Sequence, residues 1–199
     1  EGYGLSETSP VLTANPLEAI QLGTVGTKLP LTEIRIIKDD GTEAGVEEPG
    51  ELQARGPQVM RGYWNRPDAT AEVMTDDGFF KTGDVAVIQE DGYYRIVDRI
   101  KDLINVSGFN VFPAEIEDVL AGLDGVLECG VVGVMGDKDI EQVKVCVVRD
   151  PDSAATVDAD DVVAFAKANL AAYKVPKIVE FIDELPKSAV GKILRRELR

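Results

Sequence analysis

The sequence predicts a mixed fold: a small distorted β-barrel or other β-rich subdomain, followed by a compact α+β domain. Three features point to it. Between Gly23 and Gly92, short apolar runs alternate with turn residues, the pattern of strands joined by tight connections. After Gly108 the apolar spacing lengthens to the period of about 3.6 residues that belongs to amphipathic helices. Between these stretches, Asp98, Arg99, Lys101 and Asp102 break an otherwise apolar run. Such a break reads either as a connection between two packed bodies or as a solvated turn within one.

In chain order, Glu1-Gly2-Tyr3-Gly4-Leu5-Ser6-Glu7-Thr8-Ser9 reads as a polar surface loop in which Gly2 and Gly4 permit close backbone approach. It lacks the third glycine and the preceding strand of a dinucleotide fingerprint. Thr32–Lys38 reads as a strand, and Gly50–Arg55 as another with Leu52 and Ala54 on one face and Glu51, Gln53 and Arg55 on the other. Pro67 opens a short helix towards Met74. Gly78–Gln89 and Tyr93–Val97 are strands joined at Asp91-Gly92, and the β body ends near Val97. Several short strands with little helix suit a barrel or a sandwich.

Beyond Gly108, Pro113 opens a helix with Ile116, Val119, Leu120 and Leu123 in one stripe. Strands follow at Val126–Met135 and Gln142–Val148. A second helix starts within Asp158–Asp161, acids that suit a helix N-terminus, and buries Val162, Phe165, Ala166 and Leu170. Lys177–Ile182 is a last strand and Lys192–Leu198 a terminal helical turn or two.

Composition narrows the chemistry. The 199 residues, 44% apolar, bury a real core as one large or two small domains, and no run is long enough for a membrane span. The first residue is not Met, so a longer parent chain is expected. The absence of histidine excludes His-based metal sites and Ser-His or Cys-His catalysis within this stretch. A net charge of −15 argues against nucleic-acid binding. Yet Lys187, Lys192, Arg195, Arg196 and Arg199 crowd the end, placed for an anionic ligand or for a helix C-terminus. Cys129 and Cys146 lie in apolar strand-like runs, as buried reduced thiols do.

Several segments, in order and in register, resemble the adenylate-forming superfamily of acyl-CoA synthetases, luciferases and peptide-synthetase adenylation domains. They are Gly2-Tyr3-Gly4-Leu5-Ser6-Glu7; Gly50-Glu51-Leu52 with Gly62-Tyr63-Trp64-Asn65-Arg66-Pro67; Lys81-Thr82-Gly83-Asp84; Asp98–Glu117; and Pro186-Lys187-Ser188-Ala189-Val190-Gly191-Lys192. Val97-Asp98-Arg99, Ser107-Gly108-Phe109-Asn110 and Pro113-Ala114-Glu115-Ile116-Glu117 look most like bacterial long-chain fatty-acid–CoA ligases.

The resemblance implies that residues 1–98 are the C-terminal β-rich subdomain of a large AMP-binding domain. Residues 99–199 would be the mobile α+β C-terminal domain, with its hinge near Lys101. It implies ATP, coenzyme A and a fatty acid as substrates, and Mg²⁺ as cofactor. Lys192 is implied as the catalytic lysine, on a loop that is not a Walker A motif because Pro186 and Ile193 stand where that motif needs Gly and Ser/Thr. Asp84 is implied to accept from both ribose hydroxyls, with Arg99 a second ribose contact. Tyr3 lies beside the adenine by this resemblance, Glu1 and Gly2 edge the same pocket, Ser6 meets the α-phosphate and Glu7 meets Mg²⁺. Ser107 and Gly108 border the pantetheine arm, whereas Asn105 and Asn110 replace basic or amide residues of some relatives.

The family's phosphate-binding loop and acyl pocket would lie ahead of Glu1, so these residues alone are expected to be inactive. The missing N-terminal body is the first expected partner, with a homodimer and peripheral inner-membrane contact of a cytoplasmic enzyme as further expectations. Competing readings are another adenylate-forming enzyme, such as an aryl-CoA ligase, and a non-catalytic binding module.

Overall fold

The computed structural model describes residues 1–136, 140–189 and 191–199. The chain divides into two compact units, Glu1–Ile100 and Lys101–Arg199.

In the first unit, β1 (Gly2–Tyr3), β2 (Thr13–Ala14) and β3 (Thr27–Lys28) form a small antiparallel sheet. A four-stranded meander follows: β4 (Glu33–Ile37), β5 (Gly50–Arg55), β6 (Phe80–Ile88) and β7 (Tyr94–Arg99). Helix α1 (Pro67–Val73) lies between β5 and β6 in sequence and carries proline at its start, where the missing N–H costs nothing. Leu12, Ile36, Leu52, Ala54, Ala86 and Tyr94 make the core. Leu52 and Ala54 are fully buried on one face of β5, as their alternation requires.

The opposite face carries the polar side chains of β5, yet it is partly buried. Gln53 is 5% exposed, because Arg35 Nε donates to its Oε1 at 2.9 Å and its Nε2 donates to Glu51 Oε2 at 3.1 Å. Beside it the Arg35 and Arg55 guanidinium groups lie 4.0 and 4.5 Å from the centre of the Phe79 ring. Charged stems thus cover this face.

The expected barrel does not close. Among the described residues β4 and β7 remain the two edges of the meander. The outer edge of β7 is met where Val25 N donates to Tyr94 O and Tyr94 N to Gly26 O, both at 2.8 Å. Strand β7 also runs past Val97. Asp98 pairs with Val85 and Arg99 with Asp84, so these two charges extend the ladder and the break comes after them.

The second unit opens with a 3-10 turn that overlaps the first (Ile100–Asp102), then a hairpin of β8 (Ile104–Val106) and β9 (Phe109–Val111). Ser107 (φ 53°) and Gly108 (φ 90°) form its two-residue turn, both left-handed as a twist-matched hairpin needs. Helix α2 (Pro113–Leu120), β10 (Val126–Met135), β11 (Glu141–Arg149), α3 (Ala159–Asn169) and β12 (Ile178–Phe181) complete the unit. The sheet order is β10-β11-β12, antiparallel then parallel.

Its core joins Val131, Val143, Val145 and Val147 of the sheet to Ile116 and Leu120 of α2 and Val162 and Ala166 of α3. Each buried Val, Leu or Ile contributes about 1.5–3 kcal/mol. At the start of α3, Asp158 accepts from Asp161 N and Asp161 Oδ2 accepts from Asp158 N, a reciprocal cap. Cys129 and Cys146 are free and buried, and burial pushes the Cys129 thiol up to about 12. The expected terminal helix is shorter, a 3-10 turn at Arg195–Glu197.

Candidate functional site

Asp84 is the centre of the first unit's polar chemistry. It sits on β6 beside two register irregularities, at Glu51/Gln53 against β5 and at Val85/Ala86 against β7. Side chains stand in for ladder bonds there. Thr82 Oγ1 donates to Leu52 O at 2.7 Å and accepts from Asp84 N at 3.1 Å, while Gly83 N donates to Glu51 Oε1 at 3.3 Å. This turns a nearly buried carboxylate, 4% exposed, towards Tyr3 and Arg99.

The Tyr3 hydroxyl donates to Asp84 Oδ2 at 2.6 Å, and Arg99 Nε lies 3.1 Å from Oδ1. Burial raises the Tyr3 hydroxyl far above the ordinary tyrosine range, and its bond to the Asp84 carboxylate adds to the effect. Tyr3 therefore acts as a neutral donor. Both oxygens of the carboxylate are engaged, one by each partner. Residues far apart in sequence, Tyr3 with Asp84 and Arg99, thus meet in one clamp.

Ser6 and Glu7 lie in a 3-10 turn, Ser6–Thr8, held by the buried Thr8 hydroxyl, which accepts from Leu5 N at 2.9 Å. Glu7 Oε1 accepts from the Tyr63 hydroxyl at 2.8 Å, and this bond holds the Tyr63 hydroxyl above the ordinary tyrosine range. Ser6 is exposed. The close backbone approach expected of the first glycines is met by the chain itself: a Cβ on Gly4 would run into the Pro10 carbonyl. Glu1 is exposed, and its carbonyl accepts from Asn15 N at 2.9 Å. Gly2 pairs with Ala14 across β1 and β2.

In the second unit Ser107 and Gly108 are exposed at the hairpin tip, with open space where a Gly108 side chain would stand. Asn105 has a structural task, since its Oδ1 accepts from Gly108 N at 2.9 Å. Lys101 is exposed within the 3-10 turn. Lys192 sits at the exposed end of a tight loop, where Ser188 N donates to Lys192 O and Gly191 N to Ser188 O, both at 2.8 Å. Gly191 takes φ 80°, which a side chain would resist. The Lys192 ammonium makes no hydrogen bond or ion pair among the described residues, whereas its neighbour Lys187 pairs with Glu128 at 2.6 Å. Val190 of the same loop lies outside the described residues.

Sequence reasoning missed two participants, Tyr63 and Thr82. Tyr63 and Thr82 belong to segments that carried the resemblance, but nothing local links them to Glu7 or Asp84.

Residues 1–64 match the AMP-binding enzyme family, and residues 115–192 match the AMP-binding enzyme C-terminal domain. The chain belongs to the AMP-binding enzymes. A long-chain-fatty-acid–CoA ligase from Yersinia pestis is 53% identical over the whole chain, of which this chain covers 35%. A feruloyl-CoA synthase from Amycolatopsis is 43% identical over the whole chain, with 40% of that protein covered. Among solved structures, ATP-bound MatB from Rhodopseudomonas palustris superposes over 100% of this chain and 39% of its own, with a TM-score of 0.93 and 39% identity. The chain thus spans about a third of the length of the ligases it matches. Among the described residues, no helix is long and apolar enough to cross a membrane.

Proposed function

We propose that this chain is part of an acyl-CoA ligase that activates a long-chain fatty carboxylate with ATP and passes the acyl group to coenzyme A. The observation that carries this reading is the 53% identity, along the whole chain, to a ligase of that name. The Tyr3–Asp84–Arg99 clamp supports it from the geometry, because an oriented carboxylate with two acceptor oxygens suits a ribose diol.

In the first half-reaction the carboxylate oxygen bonds to the α-phosphorus of ATP, and the bond to pyrophosphate breaks. In the second, the thiolate of coenzyme A adds to the acyl carbonyl and AMP leaves. Two anions approach each other in the first step, so a delivered cation lowers its barrier most. We assign that cation to Lys192, whose ammonium no neighbour neutralises among the described residues. Lys101 is the proposed pivot of residues 99–199 against residues 1–98. Asp84 and Arg99 hold the ribose, and the Tyr3 ring lies beside the adenine with Glu1 and Gly2 along the pocket edge. Ser6 donates to the α-phosphate. Ser107 and Gly108 border the pantetheine arm, with open space where a Gly108 side chain would stand.

Glu7 suits Mg²⁺ in donor type, being a hard oxygen ligand. Among the described residues no group of three or more acidic or sulfur side chains could hold a metal unaided. The nucleotide's own oxygens and water would therefore complete the shell, and the ion when bound supplies charge neutralisation on the phosphates. We further propose a cytoplasmic enzyme that meets the inner membrane peripherally, where its apolar substrate dissolves, and that forms a homodimer. Flotation with anionic vesicles and light scattering test these two placements.

The 43% identity to a feruloyl-CoA synthase favours a second reading, an aromatic carboxylate as substrate. The deciding experiment joins this chain to the upstream body its relatives carry and assays thioester formation. Turnover that rises with fatty chain length supports the first reading, and turnover of ferulate in preference to palmitate replaces it. The 199 residues alone should show no ATP–pyrophosphate exchange; exchange by the pure chain would contradict the division of labour.

A further inference from the structure

The basic end of the chain is not a uniform cationic surface. Arg196 points outward, its side chain 80% exposed, but Arg195 turns in and is 20% exposed. Arg195 Nη2 donates to Glu117 Oε2 at 2.6 Å, and its Nη1 lies 3.9 Å from Asp102 Oδ2. The other oxygen of Glu117 accepts from Val131 N at 2.8 Å, on the edge of β10 that β11 does not cover. Asp102 directly follows the proposed pivot residue, Lys101.

This cluster lies at the foot of the Lys192 loop. One side of that loop is held by Lys187, paired with Glu128 of β10 at 2.6 Å. Its other side leads through Ile193 and Leu194, whose N–H donates to Pro186 O at 2.8 Å, into the turn that begins at Arg195. Leu198 then enters an apolar cluster with Val132, Cys146, Val148 and Leu185. The loop therefore stands on two ionic feet, of which the Arg195 foot is the more buried: its partners Arg195 and Glu117 are 20% and 16% exposed, against 41% and 30% for Lys187 and Glu128. A buried charge pair enforces one geometry more strictly than an exposed one.

We propose that Arg195 is a positioning residue for Lys192, fixing the loop that presents the lysine to α2, to the edge of β10 and to the segment after the pivot. This deepens the adenylation role given to Lys192 above and rests on it. The guanidinium acts only through the loop and touches no substrate. A displacement of the ammonium by ~1 Å then lowers the acyl-adenylate step by about 10²-fold, while ATP binding is unaffected.

The test uses the complete enzyme carrying Arg195→Met, Arg195→Lys, Glu117→Gln or Lys187→Met, each alone and combined with Lys192→Ala. Acyl-adenylate formation and thioester formation from supplied acyl-adenylate are measured separately. Arg195→Met should lower kcat of the first half by about 10²-fold with the ATP KM unchanged and the second half intact. Arg195→Lys should recover part of that loss and Lys187→Met should cost little. In the Lys192→Ala background, Arg195→Met should add nothing further. An equal fall in both halves, or a full additive loss on top of Lys192→Ala, overturns the proposal as general destabilisation. Should Arg195→Met fail to fold, Glu117→Gln decides by the same split, since it keeps the side-chain shape and removes the charge. If Lys192→Ala alone leaves adenylation intact, the catalytic reading itself fails, and that single variant reveals it.

Discussion

The carboxylate of Asp84 and the ammonium of Lys192 are opposite solutions to placing a charge. Asp84 is nearly buried, and both its oxygens are already engaged, one by the Tyr3 hydroxyl at 2.6 Å and one by Arg99 at 3.1 Å. Lys192 is exposed and its ammonium is unpartnered among the described residues, while the loop beneath it is bonded and its feet are ion-paired. The first arrangement suits recognition, since a pre-oriented acceptor loses little freedom when a ligand arrives. The second suits delivery, since an unneutralised charge keeps its full field for the moment it is needed.

The sharpest way to break this contrast is to remove the pre-oriented acceptor. Asp84→Ala should raise the KM for ATP of the complete enzyme by at least about 10²-fold, because charge-assisted hydrogen bonds contribute ~1.5–3 kcal/mol each. Calorimetric titration with AMP should show a matching loss. Arg99→Gln asks how much of the orientation comes from the guanidinium. Its side chain is 49% exposed and solvent screens the pair, so the same measurement should give about a tenfold loss or less.

The smallest effect concerns the scaffold on which the acceptor sits. Arg35, and secondarily Thr75, hold the Asp77 carboxyl down at about 2 against an ordinary 3.8. Its folded value is depressed, so its contribution is complete above pH 3.8 and fades as pH falls through about 2. Asp77→Asn should therefore flatten the fall in melting temperature across that window by a small margin. An unchanged acid profile would remove the ion pair from the account of that sheet face.

What could be read from residues alone follows the range of the physics involved. The meander was legible because Leu52 and Ala54 alternate and Asp91-Gly92 marks its turn, and α2 and α3 because apolar stripes follow Pro113 and Asp158. Strands β1 to β3, of two residues each, carry no periodicity to detect. Burial of Gln53 depends on Arg35 from the neighbouring strand, and inward rotation of Arg195 depends on Glu117 from α2. Asp98 and Arg99 looked like a break because local pattern cannot reveal that Val85 and Asp84 lie opposite them. The clamp's members were named through resemblance, but its hydrogen bonds were not legible in the chain.

The central claim is that the charge at Lys192 acts in one half of the reaction only. The direct test is Lys192→Ala in the complete enzyme, with ATP–pyrophosphate exchange measured beside thioester formation from supplied acyl-adenylate. Exchange should fall by about 10²–10³-fold, as for loss of one preorganised electrostatic contact, with the thioester step near its original rate. Unchanged exchange, or an equal fall in both steps, would contradict the account.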